Sequence, residues 1–242
     1  MQTMTLGEEV TRPRASDSPG EEPRTMELVE LMLKDRPRLD SLIRDEVHAP
    51  ELIPRLLAVA LIGYAVFGIA TTLIVNLSHT QPFWMPSARW SDGAWASLTL
   101  AYVLGMVAAT GVCLPSFYFY GLLAGVKLSM LQATAHAVKC LAVTAVVLVG
   151  ALPIYVAIAL GMIVFSAPAE ATQWTIGMGL VLPFVAGLGG VYSLFVGFTG
   201  LADTLPACRR ACFLRRLTLA WSVCYSTVTP VMIYWLWTRF AG

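Results

Sequence analysis

Five long apolar stretches constrain the fold of this chain more than any other feature of its sequence. Each can cross the roughly 30 Å hydrocarbon core of a bilayer, which takes about 20 helical residues, and none contains Asp, Glu, Lys or Arg. In lipid the backbone must satisfy its own hydrogen bonds. The sequence therefore predicts an all-α integral membrane protein, a bundle of five transmembrane helices. The expected spans are about 56–77, 94–123, 140–165, 174–201 and 217–237.

The charged residues divide the chain into three parts. Of the 15 acidic residues, twelve lie at or before Glu51, although the whole chain is 57% hydrophobic and only 13% charged. Residues 1–24 are rich in Glu, Pro, Ser, Thr and Arg and are expected to form a disordered cytoplasmic tail. The apolar spacing in residues 25–50 predicts short amphipathic cytoplasmic helices with a break at Pro37. Residues 51–242 are expected to form the transmembrane helical domain.

The short helices have two interpretations. They can lie against the protein or the membrane surface, which is the interpretation we favour, or they can be a docking motif for a partner. Nucleic acid is not expected as a partner, because its binding needs a clustered basic surface and this segment carries mixed charge.

Lysine and arginine residues outside the spans predict the orientation. With five spans, fourteen of the 16 Lys and Arg residues fall on one side, and only Arg89 and Arg239 on the other. The positive-inside rule then places the N-terminus in the cytoplasm and the C-terminus on the outer side.

The stretch 114–129 joins the second and third spans and predicts a long kinked hairpin between them. Ser129 is a suitable cap for a helix that begins at Met130, and Pro115 and Pro153 are expected to kink the two helices. Lys127 would lie at the cytoplasmic tip, with Tyr118 and Tyr120 as candidate partner or lipid contacts.

The fourth span carries small residues at a spacing of four: Gly189, Ser193 and Gly197. Such a ridge allows close helix–helix approach in lipid. We expect it to be central in the bundle, the alternative being the face of a homo-oligomer.

Residues with catalytic or metal-binding chemistry are scarce. His136 has Gln132 and Cys140 four residues to either side, which makes Gln132 and His136 a candidate polar site. A metal site needs three or four ligands, so we favour a hydrogen-bonded histidine. No phosphate-binding loop, nucleophile elbow or pair of membrane carboxylates is present. We expect no enzyme activity, metal or cofactor.

A basic cluster precedes the fifth span and contains Arg209, Arg210, Arg215 and Arg216. We interpret these residues as a cytoplasmic anchor that also contacts anionic lipid head groups. The neighbouring Cys208 and Cys212 leave acylation or a zinc or redox role as alternatives.

Two segments carry a resemblance to a known group. Leu114-Pro115-Ser116, followed by Gly125, Lys127-Leu128-Ser129 and Gln132, resembles a turn and helix start of uncharacterised bacterial polytopic membrane proteins. The ending 235–242, Trp-Leu-Trp-Thr-Arg-Phe-Ala-Gly, is similar to the group's closing Trp-x-Leu-Arg-Pro-Phe-x-Gly, without its Pro. The hairpin is also similar in hydropathy to five-span proteins linked to vesicle traffic in eukaryotes. The resemblance implies no particular activity.

Two functions remain as hypotheses. The first is a non-enzymatic scaffold, assembly factor or accessory subunit of a complex in a bacterial inner membrane, with the lipid bilayer and another protein as partners. The second is a small permease or lipid-handling protein with a path between the second and third helices.

The basic cluster yields a prediction about orientation. Changing its four arginines to Gln is expected to loosen or invert the last helix, because their charge retains this end in the cytoplasm. A cysteine-labelling assay on both sides of the membrane measures the outcome. An unchanged orientation would contradict the anchor interpretation.

Overall fold

The computed structural model describes residues 25–34, 36–44, 49–78, 94–123, 126, 128–165, 169–201 and 207–240. Of these residues 98% are α-helical, and none of them forms a strand. The elements are α1 (Thr25–Lys34), α2 (Arg36–Arg44), α3 (Ala49–Ser78), α4 (Ala94–Leu123), α5 (Met130–Val164), α6 (Ala169–Leu201) and α7 (Ala207–Phe240). Helices α3 to α7 are long and apolar enough to cross a membrane, which confirms the coarse fold class. The tail 1–24 and Lys127 lie outside the described residues.

Four of the long helices begin before the apolar spans expected from the sequence. Helices α3, α6 and α7 start at Ala49, Ala169 and Ala207, ahead of 56, 174 and 217. Helix α5 starts at Met130, as its cap predicts, ten residues ahead of the span expected from 140. An α-helix needs no apolar side chains beyond the hydrocarbon, so charged residues extend it without penalty. At 1.5 Å per residue, the 35 residues of α5 span about 52 Å, well beyond the roughly 30 Å of a bilayer core.

The start of α5 has the cap that the sequence predicts. The Ser129 hydroxyl accepts a hydrogen bond from the Gln132 backbone N–H at 3.2 Å, and the Gln132 side-chain oxygen accepts one from the Ser129 N–H at 3.3 Å. This reciprocal pair is a capping box, which satisfies two donors at the helix start. Pro115 and Pro153 lie inside α4 and α5, and kinks at these residues stay a prediction.

Helix α5 packs closely against α3. A Cβ placed on Gly63 would lie 2.9 Å from the Ala145 Cβ, so the two backbones approach with almost no side-chain volume between them. Just beside this crossing, the Tyr64 hydroxyl donates to the Leu141 carbonyl at 3.0 Å. Small residues thus bring α3 and α5 together, and a buried tyrosine links them.

The small-residue ridge of α6 faces α5. A Cβ on Gly189 would lie 3.3 Å from a Val147 methyl group, and one on Gly197 would lie 2.9 Å from the His136 ring. Ser193, between these glycines, is buried. The ridge is therefore a packing surface between two helices of the same chain, and a central position of α6 in the bundle stays a prediction.

The short helices α1 and α2 pack against the long ones. Helix α1 ends at Lys34 and α2 begins at Arg36, so Pro37 lies in the first turn of α2 and not at a break between helices. Their apolar side chains Leu28, Met32, Leu39 and Ile43 are almost completely buried. Helix α1 contacts α3, and α2 contacts both α3 and α5. The N-terminal segment is thus docked on the bundle.

The contact between α5 and α6 gives a prediction about stability. A Cβ on Gly190 would lie 2.7 Å from the Cys140 carbonyl oxygen and 3.0 Å from its sulfur, and would also overlap the Thr144 hydroxyl. Gly190→Ala is expected to lower the free energy of unfolding by about 1–3 kcal/mol, because overpacking forces the helices apart. Denaturant unfolding in detergent measures the change.

Gly187→Ala is the matched control. Gly187 lies on the same helix with nothing within 4 Å of its Cβ position, so alanine there is expected to be neutral or stabilising. Equal destabilisation by both substitutions would show that close packing at Gly190 is not the cause.

Candidate functional site

An ion pair between two distant segments is buried where α2 meets α5. The Lys139 ammonium donates a hydrogen bond to a carboxylate oxygen of Asp40. The two side chains are only 2% and 10% exposed. Lys139 lies nine residues after the start of α5, about 14 Å along its axis. Lys139, expected among the solvated cations outside the spans, lies instead inside α5 and against Asp40.

The apolar pattern of α2 explains how Asp40 becomes buried. Leu39 and Ile43 are four residues apart, lie on one face of the helix and are buried. Asp40 follows Leu39 directly, so it lies at the edge of that face. Burying the two apolar side chains brings its carboxylate to the surface of α5, where the long stem of Lys139 can reach it.

Burial determines how strongly this pair affects stability. Removing two charges from water is costly, and only their mutual attraction offsets that cost. If one partner is lost, the other stays buried without compensation, which typically costs about 3–5 kcal/mol.

An exposed ion pair on α1 provides a contrast. Lys34 donates to Glu30 at 2.6 Å with both side chains exposed. This hydrogen bond lowers the pKa of Glu30 and raises that of Lys34. Solvent screens such a pair, so it contributes little to the fold.

A histidine and a glycine complete the buried cluster. His136, one turn before Lys139 in α5, is 1% exposed, and its ring centroid lies 5.3 Å from that of Phe198 in α6. A Cβ on Gly197 would lie 2.9 Å from His136 Nδ1 and 3.3 Å from Asp40 Oδ1. Because Gly197 has no side chain, the imidazole and the carboxylate can both approach the α6 backbone. We call Asp40, His136, Lys139 and Gly197 the docking cluster.

The docking cluster combines a carboxylate, an ammonium and an imidazole at the junction of α2, α5 and α6. Such a set can hold two elements together by a charge-assisted hydrogen bond. Within the described parts of the chain, no three His, Cys, Asp or Glu residues converge as metal ligands. The arrangement is therefore that of a clamp between the N-terminal helices and the long helices.

The two members of the candidate polar site lie one turn apart in α5 and take part in different contacts. Gln132 belongs to the capping box of α5, whereas His136 belongs to the docking cluster one turn later. Two cavities stand out among the described residues, and neither Gln132 nor His136 lines them.

The candidate partner or lipid contacts are spread over two helices. Tyr118 is half-buried, and Tyr120 is exposed and lines a cavity. Arg215 and Arg216 are exposed on α7. Arg209 and Arg210 lie in the first turn of the same helix, but their side chains are outside the described structure.

Sequence reasoning missed the two charged members of the docking cluster. Asp40 was one acid among twelve in a charged segment, and Lys139 was one cation among those that flank the spans. One signal was present: Asp40 is adjacent to an apolar helical face, and Lys139 immediately precedes a span. Neither residue alone indicates the other, because they are 99 positions apart.

The chain matches no protein-family model, no curated protein and no solved structure. The resemblance to bacterial polytopic membrane proteins therefore stays a prediction.

The ion pair gives a prediction that a double-mutant cycle can measure. Asp40→Leu or Lys139→Met alone is expected to cost about 3–5 kcal/mol, because each leaves a buried charge without its counterion. The double variant Asp40→Leu with Lys139→Met is expected to recover most of that loss. Limited proteolysis within 25–48 and unfolding in detergent report docking and stability separately.

Ser41→Ala is the control for α2, since the Ser41 hydroxyl is exposed and donates to the Arg38 carbonyl within its own helix. Additive losses in the double variant would contradict a coupled ion pair.

Proposed function

We propose that this protein is a non-enzymatic integral membrane protein that serves as a scaffold, assembly factor or accessory subunit of a complex in a bacterial inner membrane. The buried ion pair between Asp40 and Lys139 carries the proposal. It fixes the N-terminal helices to the long helices, so that a water-facing surface is held at a defined position beside the bilayer. A fixed surface of this kind suits the assembly of other proteins.

The outer surface of the long helices supports a membrane location. Many large apolar side chains point away from the protein core, among them Ile62, Ile154, Val181, Leu188 and Val223. In water this surface would promote aggregation, whereas lipid tails solvate it. Thr71 and Thr72 donate to carbonyls one turn earlier in α3, which satisfies their hydroxyl groups without water.

The proposed orientation places the docking cluster at the cytoplasmic side. Five spans with the N-terminus inside bring the start of α5 and the start of α7 to that side, where Arg215 and Arg216 are exposed. In this arrangement α2 lies at the inner interface and covers Lys139. The kinked hairpin of α4 and α5 belongs to the same proposal, with its turn in the cytoplasm.

Packing around His136 favours the scaffold over the permease. A permease path beside Gln132 and His136 would need open, polar space. Gln132 is bound in the helix cap, and His136 is buried against Gly197 and Phe198. His136 is thus engaged with α6, which favours a structural role for this residue.

An in-cell crosslinking experiment tests the scaffold. Leu33 on α1 is 61% exposed, and a photo-crosslinking residue there would sample the surface that α1 and α2 present. We expect one reproducible protein adduct, reduced several-fold by Asp40→Leu, which leaves Lys139 unpaired and frees α2. The same probe at Ile154, which is 68% exposed on α5, is the matched control for chance encounters within the membrane.

Two outcomes would contradict the proposal. One is a monomer in mild detergent together with no adduct from Leu33 beyond that from Ile154. The other is solute flux or lipid transfer in proteoliposomes that is lost on His136→Ala, which would support the permease instead.

A further inference from the structure

Two thiols from different helices meet in the second half of the bundle. Cys113 of α4 and Cys224 of α7 have their sulfur atoms 3.0 Å apart, and both are free thiols. A disulfide has a sulfur–sulfur distance of about 2.05 Å, so a shift of about 1 Å would allow the bond to form. The cysteines are 111 positions apart in sequence, so a bond would crosslink the two helices.

A cavity adjoins this pair of thiols. It has a volume of about 240 Å³, and both cysteines line it. This volume exceeds the roughly 150 Å³ of an apolar cavity that binds benzene. One six-membered ring with small substituents therefore fits beside the sulfur atoms.

The walls of the cavity suit a flat, apolar ring. Phe117 and Trp221 line it and contact each other edge to face, with centroids 4.9 Å apart. Tyr120 also lines the cavity and is 53% exposed. Since the proposed function places α4 in the membrane, a lipid-soluble molecule would reach the cavity beside this tyrosine.

We propose that Cys113 and Cys224 form a dithiol–disulfide site whose oxidant is a quinone-class molecule in this cavity. The two thiols lose two protons and two electrons as the sulfur–sulfur bond forms. The quinone accepts both electrons, and its two carbonyl oxygens take up the protons, which gives a hydroquinone. Atoms and electrons balance with no further reactant.

The other described cysteines are placed differently. Cys140 is buried against Gly190 at the contact of α5 with α6, and Cys212 is exposed near the start of α7. Neither lines the cavity, so each serves as an internal control.

The experiment uses the full chain in detergent without oxygen. The probe is a decyl-substituted ubiquinone analogue, whose fully substituted ring cannot form a thiol adduct. We expect the loss of two thiols and the formation of one hydroquinone per chain, with a Cys113–Cys224 crosslink found by peptide mass spectrometry. Cys113→Ser and Cys224→Ser should each abolish the reaction, whereas Cys140→Ser and Cys212→Ser should not.

A cavity variant tests where the quinone binds. Ala220 lines the cavity, and Ala220→Met would fill part of it. This change should slow oxidation by the quinone by about tenfold, equivalent to about 1.4 kcal/mol, relative to oxidation by the small azo oxidant diamide. Far-UV circular dichroism and gel filtration of every variant separate loss of reaction from loss of fold.

Each remaining outcome overturns part of the proposal. If diamide forms the crosslink and the quinone does not, or if Ala220→Met slows both oxidants equally, the quinone site is wrong. If neither the quinone nor diamide forms the Cys113–Cys224 crosslink in folded protein, the proposal of a dithiol site is wrong. The proposed access route from lipid rests on the membrane location given under the proposed function. The oxidation assay in detergent does not, so a negative result in that assay leaves the scaffold proposal standing.

Discussion

The buried ion pair between Asp40 and Lys139 is the constraint on which the arrangement of the helices depends. Because an unpaired charge is so costly away from water, Lys139 can be buried only while α2 is docked. Helix α5, which carries Lys139, also packs against α3 and α6. The position of α2 is thus tied to the most connected helix of the bundle, and the cluster around Gly197 extends this constraint to α6.

Two modes of packing divide the long helices. Helices α3, α5 and α6 meet through small residues such as Gly63, Ala145 and Gly190, whose backbones nearly touch. Helices α4 and α7 also approach closely at one point, where a Cβ on Gly105 would lie 3.1 Å from the Ile233 Cα. Elsewhere they meet through large side chains, including Phe117 and Trp221. The larger of the two cavities lies between α4 and α7, beside these two rings.

The sequence predicts those features that depend on neighbouring residues. The length of the apolar stretches alone predicted the five long helices, and the residue type at position 129 predicted the cap. The four-residue spacing of small side chains identified the ridge of α6. The docking cluster depends instead on a contact between residues 99 positions apart, which no local pattern encodes. The positive-inside rule treats a lysine beside a span as solvated, so Lys139 was expected to be exposed to solvent. Cys113 and Cys224 were missed for the same reason, since only the packing of α4 on α7 makes them neighbours.

An ion pair is a weak way to stabilise a helix contact, and this bears on what α2 is for. An apolar pair of similar size would hold α2 as well or better. Apolar contacts, however, specify register poorly: Leu39 and Ile43 could shift along α5 by a turn and still be buried. Asp40 penalises every such shift, because its carboxylate would then be buried away from Lys139. The pair therefore favours one docked position of the N-terminal helices over other apolar alternatives. Defined position, rather than added stability, is what a surface that assembles other proteins requires.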